Sequence, residues 1–507
     1  MELKLIRQHH EYMQVISPTP INCETMREHI VPDSCSDIAR IVDTYGHVCI
    51  TGRELGSDGR ICVTGSVDVS VLYIPEKGSG LSVLQFRLPF QCIGDSQCGS
   101  DAELISIRCE LHNLDTRVLN PRKILTRANM TLFPECYKRA NITVGTTVQD
   151  KEDLEILHCR RKTRFLTSVQ EKEFTFREEI TSPGGREMEQ IIHWRFDVRS
   201  ADCKLIGTKL VLKGSAAVTV LCRTVDGALQ TLRGEYPFSQ IMDGSGLQEE
   251  WEFDCDFQTL SFDCRIGTES EPDDRNTADF TLQLRVLVSA CSHEEIAFIS
   301  DLYGTNCTVS CNTEELELQE EHSRYVKRLN VRETLETAAA VKTVLDTVVT
   351  SGTAHIDTAA MHVEIPLWVT CLFQDEEDAM HSARREFTVR CPLEHEPQLV
   401  CKCTVHSGSD ILTSIVPDGI EIRCPLECTV DAHKRSSYIS VCGGEIEEDV
   451  SKGTTPSIIL RRIGEEESLW SVAKAYRSTV RAILAINELQ DEQQIPRHKP
   501  ILIPCKR

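Results

Sequence analysis

The chain has 507 residues, of which 40% are apolar and 26% charged, an ordinary composition that suffices for roughly two to four domains. Its formal net charge of −23 argues against nucleic acid as a partner, because phosphate binding needs a basic surface. No run approaches about eighteen apolar residues, so no transmembrane segment is expected. The start of the chain is too short and too charged for a secretory signal peptide, and we expect the protein to stay in the compartment where it is made.

An apolar strand pattern recurs three times along the chain, at a spacing of about 150 residues. The first two copies match closely and the third is looser: they are Gly65–Tyr73, Gly214–Cys222 and Val363–Phe373. A second apolar strand follows each copy, over Leu84–Cys92, Leu232–Phe238 and Glu386–Cys391. Alternating apolar and polar residues rich in Val, Ile, Leu and Thr predict half-buried antiparallel strands.

A later pair of strands recurs with the same spacing. The first members are Ile105–Cys109, Leu260–Cys264 and Val400–Cys403, and the second members are Lys123–Leu132, Asp279–Ser289 and Gly419–Val430. Two helices are also predicted, at Ser36–Tyr45 and Val331–Val349. The predicted fold is therefore mainly β, with three sandwich-like antiparallel modules of about 150 residues over 1–160, 161–320 and 321–444.

The modules resemble the SPOCS domain of spore-coat and spore-morphogenesis proteins. The residues that carry the resemblance in the first module are Ile30–Ile38, Gly65–Tyr73 and Val118–Lys123. In the second module the first of these motifs is reduced to Glu178–Pro183, and in the third it is barely recognisable.

The last fifty residues predict a small βααβ domain over 457–507, after an acidic and threonine-rich linker over 445–456. The strands are predicted at Ile458–Ile463 and Pro500–Pro504, and the helices at Ser468–Tyr476 and Thr479–Glu488, with Ser468 and Thr479 as caps. Helical spacing predicts a core that contains Leu469, Trp470, Ala473, Tyr476, Ile483 and Leu484. The segment from residue 458 carries nine Lys or Arg against six acidic residues, whereas the remainder is strongly acidic.

This terminal segment resembles a LysM module, a unit best known for binding N-acetylglucosamine polymers such as peptidoglycan. The usual Gly-Asp before the first helix reads Glu466-Glu467 here, a departure in the loop that borders the family's glycan groove. Trp470 and Tyr476 fit either a sugar-stacking pair or the small core, and their spacing favours the core. The residues predicted to contact a partner or a glycan lie in two loops: Glu465, Glu466, Glu467 and Ser468, and Leu489, Gln490, Ile495 and Pro496.

No motif of the chain predicts an enzyme, and we expect no catalytic residue, metal or cofactor. Walker-type, Gly-x-Gly-x-x-Gly, His-Glu-x-x-His and Gly-x-Ser-x-Gly motifs do not occur. Acidic clusters such as Glu314-Glu315 and Asp375–Asp378 are expected to be solvated loops. The 24 cysteines include no Cys-x-x-Cys pair and are expected to be reduced structural thiols.

Three SPOCS-type repeats followed by a LysM resemble the SipL-like spore-coat morphogenetic proteins. This resemblance implies a non-enzymatic scaffold made in the mother cell and placed at the forespore surface. There it would dock through its LysM onto the coat-basal morphogenetic ATPase and contact other coat proteins. The alternative is a protein that binds peptidoglycan or N-acetylglucosamine in the spore cortex or cell wall.

Overall fold

The structure is a computed structural model, and it describes residues 1–77, 80–95, 101–149, 153–267, 274–357, 359–393, 400–407, 410–448, 457–464, 467–492 and 499–505. Strands account for about 77% of the chain and helices for 4%. The prediction of a mainly β fold with antiparallel sheets and a small C-terminal region that contains helices is confirmed.

The first unit consists of two sheets built from seven strands: β1 (Leu5–Ile16), β2 (Ile21–Ile30), β3 (Ile38–Leu55), β4 (Arg60–Pro75), β5 (Ser82–Asp95), β6 (Leu104–Asn120) and β7 (Lys123–Val148). Strands β3, β4 and β5 form a meander with β4 in the centre. In the second sheet, the long strand β7 pairs with β1, β2 and β6. A single long strand thus organises one sheet, and a three-stranded meander forms the other.

The second and third units repeat this arrangement. The second contains β8 (Leu154–Thr181), β9 (Met188–Ile206), β10 (Lys209–Thr224), β11 (Leu229–Asp243), β12 (Glu252–Ile266) and β13 (Thr277–Gly304). The third contains β14 (Cys307–Glu336), β15 (Val341–Ser351), β16 (His355–Asp357), β17 (His362–Asp375), β18 (Met380–Pro392), β19 (Val400–Ser407), β20 (Leu412–Val416) and β21 (Gly419–Glu448). Their meanders are centred on β10 and β17, and their second sheets on the long strands β13 and β21.

The predicted repeat copies form the central meander strands β4, β10 and β17. Side chains along these strands alternate between buried and partly exposed, as expected for strands with one covered face. The alternation ends in equivalent runs of consecutive buried residues, at 69–73, 220–222 and 371–373. Both faces of each sheet are covered at these runs, so a second layer of protein must lie outside each meander.

The third copy lacks a glycine that the first two copies share, which explains why it matches them only loosely. Gly65 pairs with Phe90, and Gly214 pairs with Phe238 in the second unit. A Cβ atom on either glycine would meet the ring of its partner, so both rings pack directly over backbone. The equivalent pair in the third unit is Ile365 and Val389, in which two branched side chains replace the glycine and the ring.

The two helices predicted for the body are wrong, and two of the predicted domain boundaries fall within strands. Residue 38 begins strand β3, and the segment 331–349 contains the end of β14 and most of β15, because pairing with neighbouring strands outweighs the local helical pattern. The boundaries 160/161 and 320/321 fall inside β8 and β14, whereas the units change at the strand ends 148/154 and 304/307. Strand β21 continues through 445–448 of the predicted linker, and residues 449–456 lie outside the described residues. Glu314 and Glu315 lie in β14 rather than in a loop.

Each unit has its own buried core between its two sheets, and further clusters join the units. One of these combines equivalent leucines of the three meanders, Leu72, Leu221 and Leu372. Another combines Val144, Phe165, Ile296, Phe298, Leu316 and Leu318 from the second sheets of all three units. The backbone of Leu3 also donates a hydrogen bond to the carbonyl of Gly444, which ties the start of the chain to the third unit. The three units therefore pack as one body.

A polar cavity of about 1340 Å³ lies between the three units. Bulges in the first meander strand of each unit bring Asp43, His193 and Asp346 to equivalent positions beside the leucine cluster. The ring of Tyr45 stacks on His193 with 4.1 Å between centroids, and Arg195 forms an ion pair with Asp346. Burial lowers the pKa of His193 to about 4, so its imidazole is neutral at pH 7.

A disulfide joins Cys23 of β2 to Cys92 of β5 and so links the two sheets of the first unit. The expectation that the cysteines are reduced is wrong for this pair. Twenty other cysteines of the described residues are free thiols, and several of them, such as Cys222 and Cys371, are buried in strands as small apolar side chains.

Replacement of Leu221 by alanine should destabilise the whole body. Leu221 is 2% exposed and belongs to the cluster shared by the three meanders, so its truncation leaves a cavity that no single unit can close. We expect a loss of roughly 2–5 kcal/mol in the free energy of unfolding, measured by urea denaturation. The matched control is Leu412→Ala, at a leucine that is 65% exposed. Equal losses in both variants would contradict the shared core.

Stability should fall on acidification because of two buried histidines. Burial lowers the pKa values of His47 and His193 to about 4, so below about pH 6.5 the unfolded chain binds protons that the folded chain excludes. The contribution of each neutral histidine to the free energy of unfolding is therefore present above pH 6.5 and is lost as the pH falls towards 4. In urea titrations between these values, His193→Gln should flatten the pH dependence by up to about 1.4 kcal/mol per pH unit. The exposed His355, changed to Gln, should leave the slope unaltered.

Candidate functional site

The C-terminal segment forms a small two-layer domain. Its elements are β22 (Ile458–Arg461), α1 (Leu469–Ala475), α2 (Val480–Ile486) and β23 (Ile501–Pro504), in the predicted order βααβ. Strands β22 and β23 pair antiparallel. Both predicted caps are formed, since the hydroxyls of Ser468 and Thr479 accept hydrogen bonds from the backbone N–H groups of Ser471 and Ala482, each at 3.0 Å.

The predicted core residues occupy one cluster of this domain. Leu469, Ala473 and Ile483 are at most 2% exposed, and the cluster is completed by Ile463, Val472, Ile501 and Ile503, with Trp470, Tyr476 and Leu484 packed partly buried against it. Asn487 fixes the second helix to the last strand. Its amide exchanges two hydrogen bonds with the backbone of Leu502, at 2.7 and 2.8 Å.

Four of the eight predicted contact residues lie in the described chain. Ser468 and Gln490 are exposed, and Glu467 and Leu489 are partly exposed. Glu465, Glu466, Ile495 and Pro496 fall outside the described residues. The side chains that begin and end the helical pair are thus accessible to a ligand.

Glu467 folds back onto its own loop. Its carboxylate accepts a hydrogen bond from the backbone N–H of Gly464 at 2.9 Å and pairs with Arg461 at 2.6 Å. These two groups, with the Gly464 N–H first, hold the pKa of Glu467 below its usual value. The Arg461 guanidinium also lies over the ring of Tyr476, 5.4 Å from its centroid. One charge of the acidic turn is therefore compensated locally.

A family model for the LysM domain matches residues 462–504, the segment that contains both helices and the last strand. Residues 462–504 form a LysM domain. No curated protein and no solved structure matches the chain. The match suggests binding of peptidoglycan or another carbohydrate, and it leaves the spore-coat assignment of the three-unit body as a prediction.

The LysM domain is seated on the body through Asp301 at the end of β13. The indole N–H of Trp470 donates a hydrogen bond to one carboxylate oxygen of Asp301 at 2.8 Å. The ammonium group of Lys474 donates to the other oxygen at 2.6 Å. Because Trp470 and Lys474 are four residues apart on α1, both face the body from one side of the helix. One carboxylate thus contacts side chains near both ends of α1.

Tyr303 provides the apolar part of the same contact. It is 5% exposed and belongs to the buried cluster of the LysM domain, although it lies in β13 of the body. Its ring meets that of Trp470 edge to face, with 4.9 Å between centroids. Its hydroxyl donates a hydrogen bond to the carbonyl of Ser478 at 2.8 Å, and burial raises its pKa, so the hydroxyl stays protonated. Arg477 adds a hydrogen bond to Thr308 at 2.9 Å.

This contact set changes the interpretation of Trp470. Its indole touches Tyr303 and Asp301 of the body, so neither a sugar-stacking role nor a purely internal core role describes it. Sequence patterns did not indicate the contact, because Asp301 and Trp470 are 169 residues apart and Asp301 is one of many polar residues in the strands of the body. Of the predicted contact residues that the structure describes, Ser468 and Gln490 are exposed.

Two further observations bear on possible chemistry. In the ranges that the structure describes, no group of three or more His, Cys, Asp or Glu residues is placed to hold a metal ion. Within the same ranges, no helix has the length and apolar character needed to cross a membrane.

Loss of the Asp301 carboxylate charge should release the LysM domain from the body. In Asp301→Asn the amide can still accept one hydrogen bond but loses the ion pair with Lys474 and the charge-assisted bond to Trp470. We expect faster proteolytic cleavage between residues 448 and 457, followed by mass spectrometry of the fragments. Glu295→Gln is the matched control, because Glu295 lies on the same strand and pairs with Arg160 of the body. Unchanged cleavage in Asp301→Asn would show that the carboxylate does not hold the domain.

Proposed function

We propose that the protein is a non-enzymatic scaffold of spore-coat assembly, made in the mother cell, which docks through its LysM domain onto the coat-basal morphogenetic ATPase at the forespore surface. The observation that carries the proposal is a LysM domain seated on a rigid three-unit β body with Ser468 and Gln490 exposed. Because of these contacts, a partner that binds the LysM domain also fixes the position of the body, as a scaffold requires.

The body supports a scaffold role through its repeated architecture. Three two-sheet units share buried clusters, so they present one large fixed surface rather than three independently moving domains. The resemblance of their motifs to SPOCS domains is the reason for proposing coat proteins as the molecules that this surface contacts.

The sequence of the loop before α1 supports a protein partner for the LysM domain. The family's usual Gly-Asp is replaced by Glu466-Glu467, which removes the glycine beside the expected glycan groove. The replacement puts a charged residue where the family has a glycine at its glycan groove, which favours a protein partner over a sugar chain. Trp470, the aromatic residue best suited to stack on a sugar, is engaged with Tyr303.

A second candidate function is the binding of peptidoglycan or N-acetylglucosamine polymers in the cortex or cell wall. The family match favours it, since carbohydrate binding is what a LysM domain suggests. In that case Ser468 and Gln490 would supply hydrogen-bonding groups on the two sides of the groove.

Truncation before Ile458 should separate anchoring from folding. The buried clusters of the three units contain no residue of the LysM domain, so the truncated body should keep its β-sheet circular dichroism and cooperative unfolding. A fluorescent fusion of the truncated chain should lose its position at the forespore in sporulating cells. A full-length Glu295→Gln fusion is the positive control. Normal localisation of the truncated chain would refute LysM-dependent docking.

Sedimentation with insoluble peptidoglycan should distinguish the two candidate functions. Under the docking proposal the full chain stays in the supernatant, and Glu466→Gly increases its retention because it restores the glycine of the groove. Strong retention of the unaltered chain, reduced at least tenfold by Gln490→Arg and unaffected by Glu295→Arg, would favour the glycan function. The truncated chain reports non-specific retention by the body.

A further inference from the structure

Two thiols of the third unit lie in direct contact. Cys403 in β19 and Cys428 in β21 have their sulfur atoms 3.1 Å apart. In the register of these strands Cys403 is opposite Val430, and Cys428 is opposite Val405. The two cysteines are therefore diagonal neighbours on one face of the sheet, the face that packs into the core of the third unit.

The two thiols differ in their accessibility to small molecules. Cys403 is partly exposed and lines the cavity between the three units, whereas Cys428 is 0% exposed. A small oxidant in the cavity can reach the sulfur of Cys403, whereas the sulfur of Cys428 is buried. This order matches a reactive thiol backed by a resolving thiol.

We propose that Cys403 and Cys428 are a site of oxidative modification at which a peroxide closes a disulfide across strands β19 and β21. The Cys403 thiolate attacks one peroxide oxygen, the O–O bond breaks, and a sulfenic acid and hydroxide are formed. The Cys428 sulfur then attacks the Cys403 sulfur, and the displaced hydroxide leaves as water with the thiol proton. Two thiols and one hydrogen peroxide thus give one disulfide and two waters, with peroxide as the species reduced.

The geometry requires only a small movement. A disulfide has an S–S distance of about 2.05 Å, so the two sulfur atoms need to approach by about 1 Å. A hydrogen bond with Cys403, together with burial, raises the pKa of Cys428 well above its usual value. Cys428 is consequently a slow resolving group at neutral pH, and closure should accelerate as the pH rises and thiolate forms.

The bond would act on the third unit as the existing disulfide acts on the first. It would close the chain between residues that are 25 positions apart, which restricts the unfolded ensemble and raises the melting temperature. Cys23–Cys92 already provides this for the first unit. Oxidation would thus stiffen the unit whose sequence departs most from the repeat pattern.

The experiment is peptide mapping of the full chain before and after hydrogen peroxide. Free thiols are alkylated in denaturant, the chain is digested without reductant, and linked peptides are identified by mass spectrometry. We expect a new peptide pair joining Cys403 to Cys428, lighter by two hydrogen atoms than the separate peptides, which forms at least threefold faster at pH 8.5 than at pH 6.5. The melting temperature should rise with the fraction closed.

Matched alanine variants test the pairing. Cys403→Ala and Cys428→Ala should each lose the linked peptide and the rise in melting temperature, whereas Cys371→Ala, at a buried cysteine of β17, should retain both. Should Cys428→Ala fail to fold, Cys403→Ala at the more accessible position serves alone. Alkylation of both thiols after oxidation, over-oxidation of Cys403 without a link, or linkage of Cys428 to another cysteine would each overturn the proposal.

Discussion

The packing of Leu72, Leu221 and Leu372 against one another is the contact on which the body depends. Each leucine lies in the central strand of a meander whose other face already covers the core of its own unit. A meander with two apolar faces cannot be left at the surface, because burial of apolar area is the main favourable contribution to folding. The three units must therefore assemble around this contact. The cavity, the disulfide and the seat of the LysM domain all belong to the body that results.

The sequence predicts what is local and repeated. The central strands β4, β10 and β17 follow from alternation and from a period of about 150 residues, and the LysM elements and both helix caps follow from short-range patterns. The two helices predicted for the body were wrong because strand pairing determines the structure there. An example is β3, whose pairing with β4 shifts register three times. Contacts between distant segments carry no local signal. Asp301 and Tyr303 illustrate this, because only the fold brings them to the LysM domain.

The polar residues at the centre of the body are the other feature that sequence patterns could not supply. Asp43, His193 and Asp346 occupy equivalent bulge positions, yet their chemical types differ between the repeats, so no motif identifies them. Their partners come from other strands and other units: Ser382 donates to Asp43, and Arg195 pairs with Asp346. A buried charge is tolerable only when it is paired or hydrogen-bonded. The three units must therefore dock in one register for these partners to meet.

Three positively charged side chains of the LysM segment have partners within the chain. Lys474 pairs with Asp301, Arg477 donates to Thr308, and Arg461 pairs with Glu467. The contrast between a basic terminal segment and an acidic body, which alone would suggest an anionic ligand, thus contributes to the seat of the domain instead. Two of these contacts, Lys474 with Asp301 and Arg477 with Thr308, join the domain to the body, so part of its positive charge is engaged inside the chain.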